Sequence, residues 1–385
     1  IKIYRLKMSK SKFHQVKISG YNIIFPLAIA WNQCADFQKQ TVEHIKKRNN
    51  CFVYLGADKS FFFKIKKSHN LLLFYPLTNF LKLKIFDKLF DQINLLFFNF
   101  VVKWQLKNTK CINIIWLFNS ELNYFFKIFK DEKILKIYDF VDFADLKNIF
   151  NTTKKANLIF ANSTILYQFA KTISNNKVVL VPQGFDLKSF SNDKKLKPIE
   201  PSTKITISYI GSINFRLDFP LLQKLIQNNP QHNFIFWGPI EYLNKNLDTI
   251  YNLETNINKL KKYKNVQFGH SDRNGVIKVL EKTTIGIIPY NTLLDFNRNC
   301  FPMKLFEYFY MGLPVLSTKI EELYRYKNII KISNDSKEWN KYINKIMRNG
   351  WPAQKRIIQR ELAKSNSWQK KIKKIEEEIY NFNYK

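Results

Sequence analysis

The chain has 385 residues, enough for two domains with separate cores. Hydrophobic residues make up 45% of it and aromatics 16%, which excludes a disordered chain. The formal net charge of +33 asks for a polyanionic partner: nucleic acid, an anionic membrane or a phosphorylated substrate. The lysines are scattered with no long basic block, which speaks against nucleic acid.

Cys34, Cys51, Cys111 and Cys300 are far apart and match no metal spacing. They are expected to be buried or incidental thiols in a reducing compartment. No signal peptide is visible, and no apolar run reaches the ~18–20 residues that span a bilayer. A cytoplasmic protein is expected. The chain opens on Ile1, Met8 is a candidate start, and the basic stretch 1–12 is expected to be loose.

In chain order, short apolar runs predict strands over 21–28, 51–56, 71–76, 111–118, 133–140, 156–162 and 177–182. Amphipathic segments at 36–48, 79–106, 119–130 and 163–174 predict the intervening helices. The polar stretch 183–204, with two prolines, reads as a linker. Strands then recur over 205–211, 232–238, 265–269, 284–290, 314–318 and 328–332, and 365–382 predicts a final helix. Strands that are continuously apolar and separated by helices imply parallel sheets covered on both faces. Two such blocks predict two doubly wound Rossmann-like α/β domains, 13–186 and 205–364, joined by linker 187–204 and facing a cleft. Helix 365–385 is expected to pack back toward the first domain. The Phe- and Leu-rich stretch 79–106, punctuated by lysines, has two readings: a core helix with its exposed neighbour, or an element lying on an anionic membrane surface.

The stretch "RNCFPMKLFEYFYMGLPVLST" (298–318) orders loop, helix, stop and strand. Pro302 suits a helix start, Gly312 a left-handed cap, and Pro314 a stop. Lys304 and Glu307 share a helix face. Either they form a surface ion pair, or the helix start and Lys304 face an anion.

Together with "ISYIGSINFRLDFPLL" (207–222) and "VQFGHSDRNGVIKVLEKTTIGIIPYN" (266–291), this stretch resembles the carboxyl-terminal domain of GT-B glycosyltransferases. The similarity is to the large retaining group called family 4, and within it to the branch of teichuronic-acid-type transferases. Upstream, "VVLVPQGFDLKSF" (178–190), "KIYDFVDFADL" (136–146), "LIFANSTIL" (158–166) and "AWNQCADFQKQ" (30–40) resemble further segments of that group. Lys39 stands where arginine is usual. The resemblance runs from about residue 21 to residue 335.

The resemblance implies a transferase moving a sugar from a nucleoside diphosphate (UDP or GDP) to a hydroxyl acceptor on a glycan or lipid, in cell-surface polysaccharide or glycolipid synthesis. It implies that Glu307 takes the ribose hydroxyls and that amides from Phe301 to Lys304 face the diphosphate. Lys304 and Arg216 would neutralise the leaving group, Gly211 would let the backbone pass close to the donor, and Pro289 and Tyr290 would stand at the base end of the pocket. Many members carry E-x7-E; here Asn299 stands eight residues before Glu307, and a neutral hydrogen-bond partner replaces the first acid. No Asp-x-Asp metal motif is in place, so no metal or other cofactor is expected. Asp142 is the candidate base, with a helix N-cap as its competing role. His270 and Trp31 are weaker cleft candidates, and Ser163 reads as an N-cap.

Two other readings compete. A sugar-nucleotide epimerase on the same fold needs a carboxylate pair at the sugar, and none is evident. A non-catalytic nucleic-acid binder needs clustered cations with interleaved aromatics. A peripheral attachment to the inner membrane face remains open beside the transferase reading.

Overall fold

The structure is a computed structural model that describes residues 19–31, 37–81, 83–107, 112–129, 133–143, 145–190, 196, 198–242 and 245–383. Stretch 1–12, Cys34 and Cys111 lie outside these residues. Cys51 and Cys300 are buried free thiols.

The first half runs β1 (Asn22–Leu27), α1 (Phe37–Ile45), β2 (Asn50–Leu55), β3 (Lys64–Ser68), β4 (Leu71–Tyr75), α2 (Asp87–Gln105), β5 (Ile114–Leu117), α3 (Phe125–Ile128), β6 (Leu135–Phe140), α4 (Leu146–Lys155), β7 (Leu158–Ala161), α5 (Thr164–Ile173) and β8 (Lys177–Leu180). These strands form one sheet in the order β3-β4-β2-β1-β5-β6-β7-β8. All pair in parallel except β3, which runs antiparallel to β4. Side chains alternate between two cores, as the strand period of two requires. Ile23, Phe25 and Leu27 of β1 enter one core and Ile24 the other.

The second half runs β9 (Thr206–Ile210), α6 (Phe219–Gln227), β10 (Asn233–Trp237), α7 (Lys245–Ile250), α8 (Leu253–Lys261), β11 (Val266–Gly269), α9 (Arg273–Lys282), β12 (Ile285–Ile288), α10 (Asp295–Arg298), α11 (Lys304–Tyr310), β13 (Val315–Ser317), β14 (Lys331–Ile332), α12 (Ser336–Asn349), α13 (Ala353–Ser365) and α14 (Trp368–Asn383). Its strands form an all-parallel sheet in the order β11-β10-β9-β12-β13-β14.

Helix α14 crosses back onto the first sheet. Its Trp368, Ile372, Ile375 and Ile379 complete the core that α1 begins with Val42 and Ile45. Glu376 pairs with Arg48 at 2.6 Å and Glu378 with Lys177 at 2.6 Å. Beneath them Lys371 is buried beside Asp139 of β6, which supplies its main compensating charge. The stretch between the sheets is pinned at both sides. Phe185 and Phe190 enter the second core, and Phe185 exchanges backbone hydrogen bonds with Asn366 and Trp368.

The helix expected over 79–106 begins only at Asp87, and two further readings need correction. Residues 119–130 do not form one helix. Asn119 accepts a bond from the Glu121 amide at 2.8 Å, making a tight turn before the single turn of α3. Such local side-chain bonds compete with helix propagation. Strand β3, "KIKKS", was not expected; it is an exposed antiparallel edge with no apolar run. Lysines on an edge strand hinder pairing with another chain.

Candidate functional site

In an open parallel sheet a crevice forms at the carboxyl ends of the strands where the strand order reverses. In the second sheet that point lies between β9 and β12. The loop after β9 carries Gly211 and Arg216, and Pro289 and Tyr290 directly follow β12. Helix α11, which starts at Lys304, closes the crevice behind them.

Gly211 adopts φ +117°, a conformation that favours glycine. A Cβ there would stand 3.1 Å from Lys304 Cε. Lys304 is buried, its ammonium donating to the Tyr290 hydroxyl at 2.5 Å. It lies 4.7 Å from the Tyr209 ring centre and 4.6 Å from that of Tyr290. The Arg216 guanidinium lies 4.8 Å from the Tyr290 ring centre and 4.9 Å from that of Phe296. Asn297 fixes it: Arg216 Nε donates to Asn297 Oδ1 at 2.7 Å, while the Asn297 amide donates to the carbonyls of Arg216 and Asn291. Two cations thus meet at one phenol ring, an arrangement that attracts an anion.

Burial works against the charge of Arg216, but Tyr290, Cys300 and Asp142 outweigh it, so the guanidinium holds its proton more firmly than usual. Burial raises the Tyr209 phenol far above its ordinary value, with Tyr290 adding to the rise. Asp142 reaches this cluster from the opposite sheet. It lies two residues past β6, open to solvent yet walled by protein, and that desolvation raises its carboxyl above the ordinary range while Arg216 opposes the shift. Asp142 is not a helix cap. Asp145 caps α4, accepting from the Lys147 amide at 2.9 Å.

The Lys304–Glu307 surface pair is also corrected. Glu307, one turn into α11, takes Arg273 at the start of α9, and Lys304 turns inward between the two tyrosines. Tyr290 therefore stands beside both candidate phosphate cations. Phe301 is buried against Phe306 at 5.3 Å. Asn299 is half-buried at the end of α10, its amide bonded to the Asp295 carbonyl. Gly312 adopts φ +65° and ends α11 as the left-handed cap read from sequence. Ser163 caps α5, accepting from the Leu166 amide. Trp31, half-buried, follows β1 at the switch point of the first sheet, its amide bonded to Asp58 and Lys39 over its ring at 5.5 Å. His270 is exposed at the end of β11. Sequence reasoning missed Tyr209, Arg273 and Asn297. Arg273 carried a signal, since it directly follows the Asp272 N-cap in the loop after β11.

Among the described residues no group of His, Cys, Asp and Glu could hold a metal, and no helix is long and apolar enough to cross a membrane. No protein-family model matches the chain. Over 153 residues it is 28% identical to TuaH of Bacillus subtilis, described as a candidate teichuronic acid biosynthesis glycosyltransferase. That match covers 39% of this chain and only 36% of TuaH. An α,α-trehalose-phosphate synthase (UDP-forming) from Burkholderia vietnamiensis superposes with a TM-score of 0.67 at 10% identity, covering 95% of this chain and 99% of the synthase. Anabaena HepE, solved in complex with UDP and glucose, gives a TM-score of 0.67 at 14% identity, covering 94% of this chain and 99% of its own. Two doubly wound α/β sheets with a crevice at the switch point of the second, matched over nearly their whole length by these structures, make this the GT-B fold of glycosyltransferases.

Proposed function

We infer that the protein transfers a sugar from a UDP-sugar to a hydroxyl acceptor, with retention and without a metal, in the assembly of a cell-surface polysaccharide or glycolipid. The observation that carries this reading is the placement of Arg216 and Lys304 together at the switch point, with Glu307 one turn deeper and Asp142 across the cleft. TuaH supports the polysaccharide context, and HepE and the trehalose-phosphate synthase support UDP as the nucleotide.

The difficult step is charge build-up on the diphosphate as its oxygen separates from the anomeric carbon. Fixed cations in a site sheltered from water stabilise such charge with little reorganisation. Arg216 offers a planar fork suited to phosphate, held by Asn297, and Lys304 a point charge held by two rings. The new bond joins the acceptor oxygen to the anomeric carbon. The acceptor proton passes to the departing phosphate oxygen or to Asp142, whose raised carboxyl suits proton uptake. Glu307 accepts bonds from the ribose hydroxyls while Arg273 keeps it in position.

The test is release of UDP from a panel of UDP-sugars in chelator, with and without oligosaccharide or lipid-linked acceptors. Acceptor-dependent release, reduced at least about a hundredfold in Arg216→Gln, is expected. Release that is independent of acceptor, or full activity in Arg216→Gln, would contradict the reading.

A further inference from the structure

Helix α2 buries one face through Phe90, Phe98, Val101 and Val102, yet its opposite face is apolar too. Leu89, Ile93, Leu96, Phe100 and Trp104 follow one another at helical spacing, and the last three are 71%, 61% and 66% exposed. A contiguous exposed apolar stripe marks an interaction surface. The stripe continues onto the segment before the helix, where Phe80 meets Phe90 at 5.3 Å and Ile85 is exposed. It also reaches the loop after β2. There Phe63 packs against Phe97 with ring centres 4.1 Å apart, next to the exposed Phe61 and Phe62.

Cations frame this surface. Lys64, Lys66 and Lys67 of the exposed edge β3 adjoin it, and Lys67 donates to Gln105 at the end of α2 at 2.6 Å. Lys84 and Lys88 lie at one end of the helix, with Lys103 and Lys107 at the other. Between residues 59 and 107 the described chain holds eight lysines against two aspartates, Asp87 and Asp91. An aromatic and aliphatic stripe edged by lysines, with a tryptophan near one end, matches the interior boundary and the negative headgroups of a bilayer.

We propose that this face of the first sheet, from Phe61 through α2, docks on an anionic phospholipid surface. From Leu89 to Trp104 the stripe is ~22 Å long at 1.5 Å per helical residue, so α2 lies in the plane of the interface. Its leading end leaves the carboxyl end of β4, the side of the sheet on which Trp31 and Asp142 also stand. A lipid-borne acceptor would therefore meet the cleft from the side that docks. This last point rests on the transferase reading; the docking itself does not.

The test is co-sedimentation of the whole protein with vesicles of phosphatidylcholine alone and of phosphatidylcholine mixed with phosphatidylglycerol. Wild type, Leu96→Glu/Phe100→Glu and Lys64→Gln/Lys66→Gln/Lys67→Gln are compared, with UDP binding and melting temperature as controls. The expected result is binding at least about tenfold tighter to the mixed vesicles. Each multiple variant should weaken it by about tenfold or more while UDP binding and melting hold. Equal binding to both vesicle types, no binding to either, or anionic binding untouched by the Leu96/Phe100 change would overturn the proposal. So would a wild-type dimer in light scattering that the Leu96/Phe100 variant converts to monomer, since a second copy would then cover the face.

Discussion

Replacing Lys304 by Met separates a binding role from a structural one. The ammonium is buried, and desolvating such an ion costs several kcal/mol. Two ring faces at 4.7 and 4.6 Å return ~0.5–2 kcal/mol each, and the bond to the Tyr290 hydroxyl ~1.5–3 kcal/mol. Gain and cost nearly cancel, so an unbranched apolar side chain of similar length should fold as well as lysine. Lys304→Met is therefore expected to change stability by no more than ~1 kcal/mol in urea unfolding. The diphosphate, in contrast, loses a charge-assisted contact of ~1.5–3 kcal/mol, roughly a 10- to 150-fold loss of UDP affinity by calorimetry. A variant that unfolds readily yet binds UDP as before would refute this reasoning and make Lys304 a purely structural cation.

Other expectations follow from the same physics. Burial raises the Asp139 carboxyl and lowers the Lys371 ammonium, each group being the other's compensating charge. Asp139→Asn with Lys371→Met should leave the urea midpoint unchanged or raise stability by ~1–4 kcal/mol, whereas Lys371→Met alone should lower it. His44 and His232 are both depressed by burial, His44 further by Lys47 and Lys188 against the Gln40 carbonyl. The native state then binds these protons less tightly than the unfolded chain, whose value is 6.5. Their contribution is full above that value and lost as pH falls below it, so the melting temperature should drop between about pH 7 and pH 5 and drop less in His232→Asn. Gly211→Ala forces a side chain onto a backbone at φ +117° and against Lys304. A loss of ~1–3 kcal/mol in stability, together with weaker UDP binding, is expected.

The parallel strands were legible because each is an apolar run bounded by turn residues, and burial on both faces writes that run directly into sequence. Edge strand β3 was not, because its lysines face solvent and only pairing with β4 makes it a strand. Helix α2 was read as starting near residue 79, but it begins at Asp87. Lys84–Phe86 before it form a 3-10 turn, and further upstream Asn94 brackets the backbone of Leu77 with bonds of 2.7 and 3.0 Å. At the site, the order of loop, helix and cap around Lys304 was visible, since Pro302 and Gly312 mark it. The partners were not: Tyr209, Asn297 and Arg273 lie far from Lys304, Arg216 and Glu307 in sequence or on other elements, and only the folded sheet brings them together. The richness of 79–106 in Phe and Leu was legible in composition. Which of its faces is exposed depended on where the inward stripe fell.

The most direct test of the account is calorimetric binding of UDP and GDP, in chelator, to wild type and to Glu307→Ala. The account predicts saturable binding of UDP, weaker binding of GDP, and at least about a tenfold loss in the variant from the missing charge-assisted bonds. Equal binding of both nucleotides and of inorganic diphosphate, unchanged in Glu307→Ala and abolished by salt, would show that net charge alone is at work and would contradict the donor site.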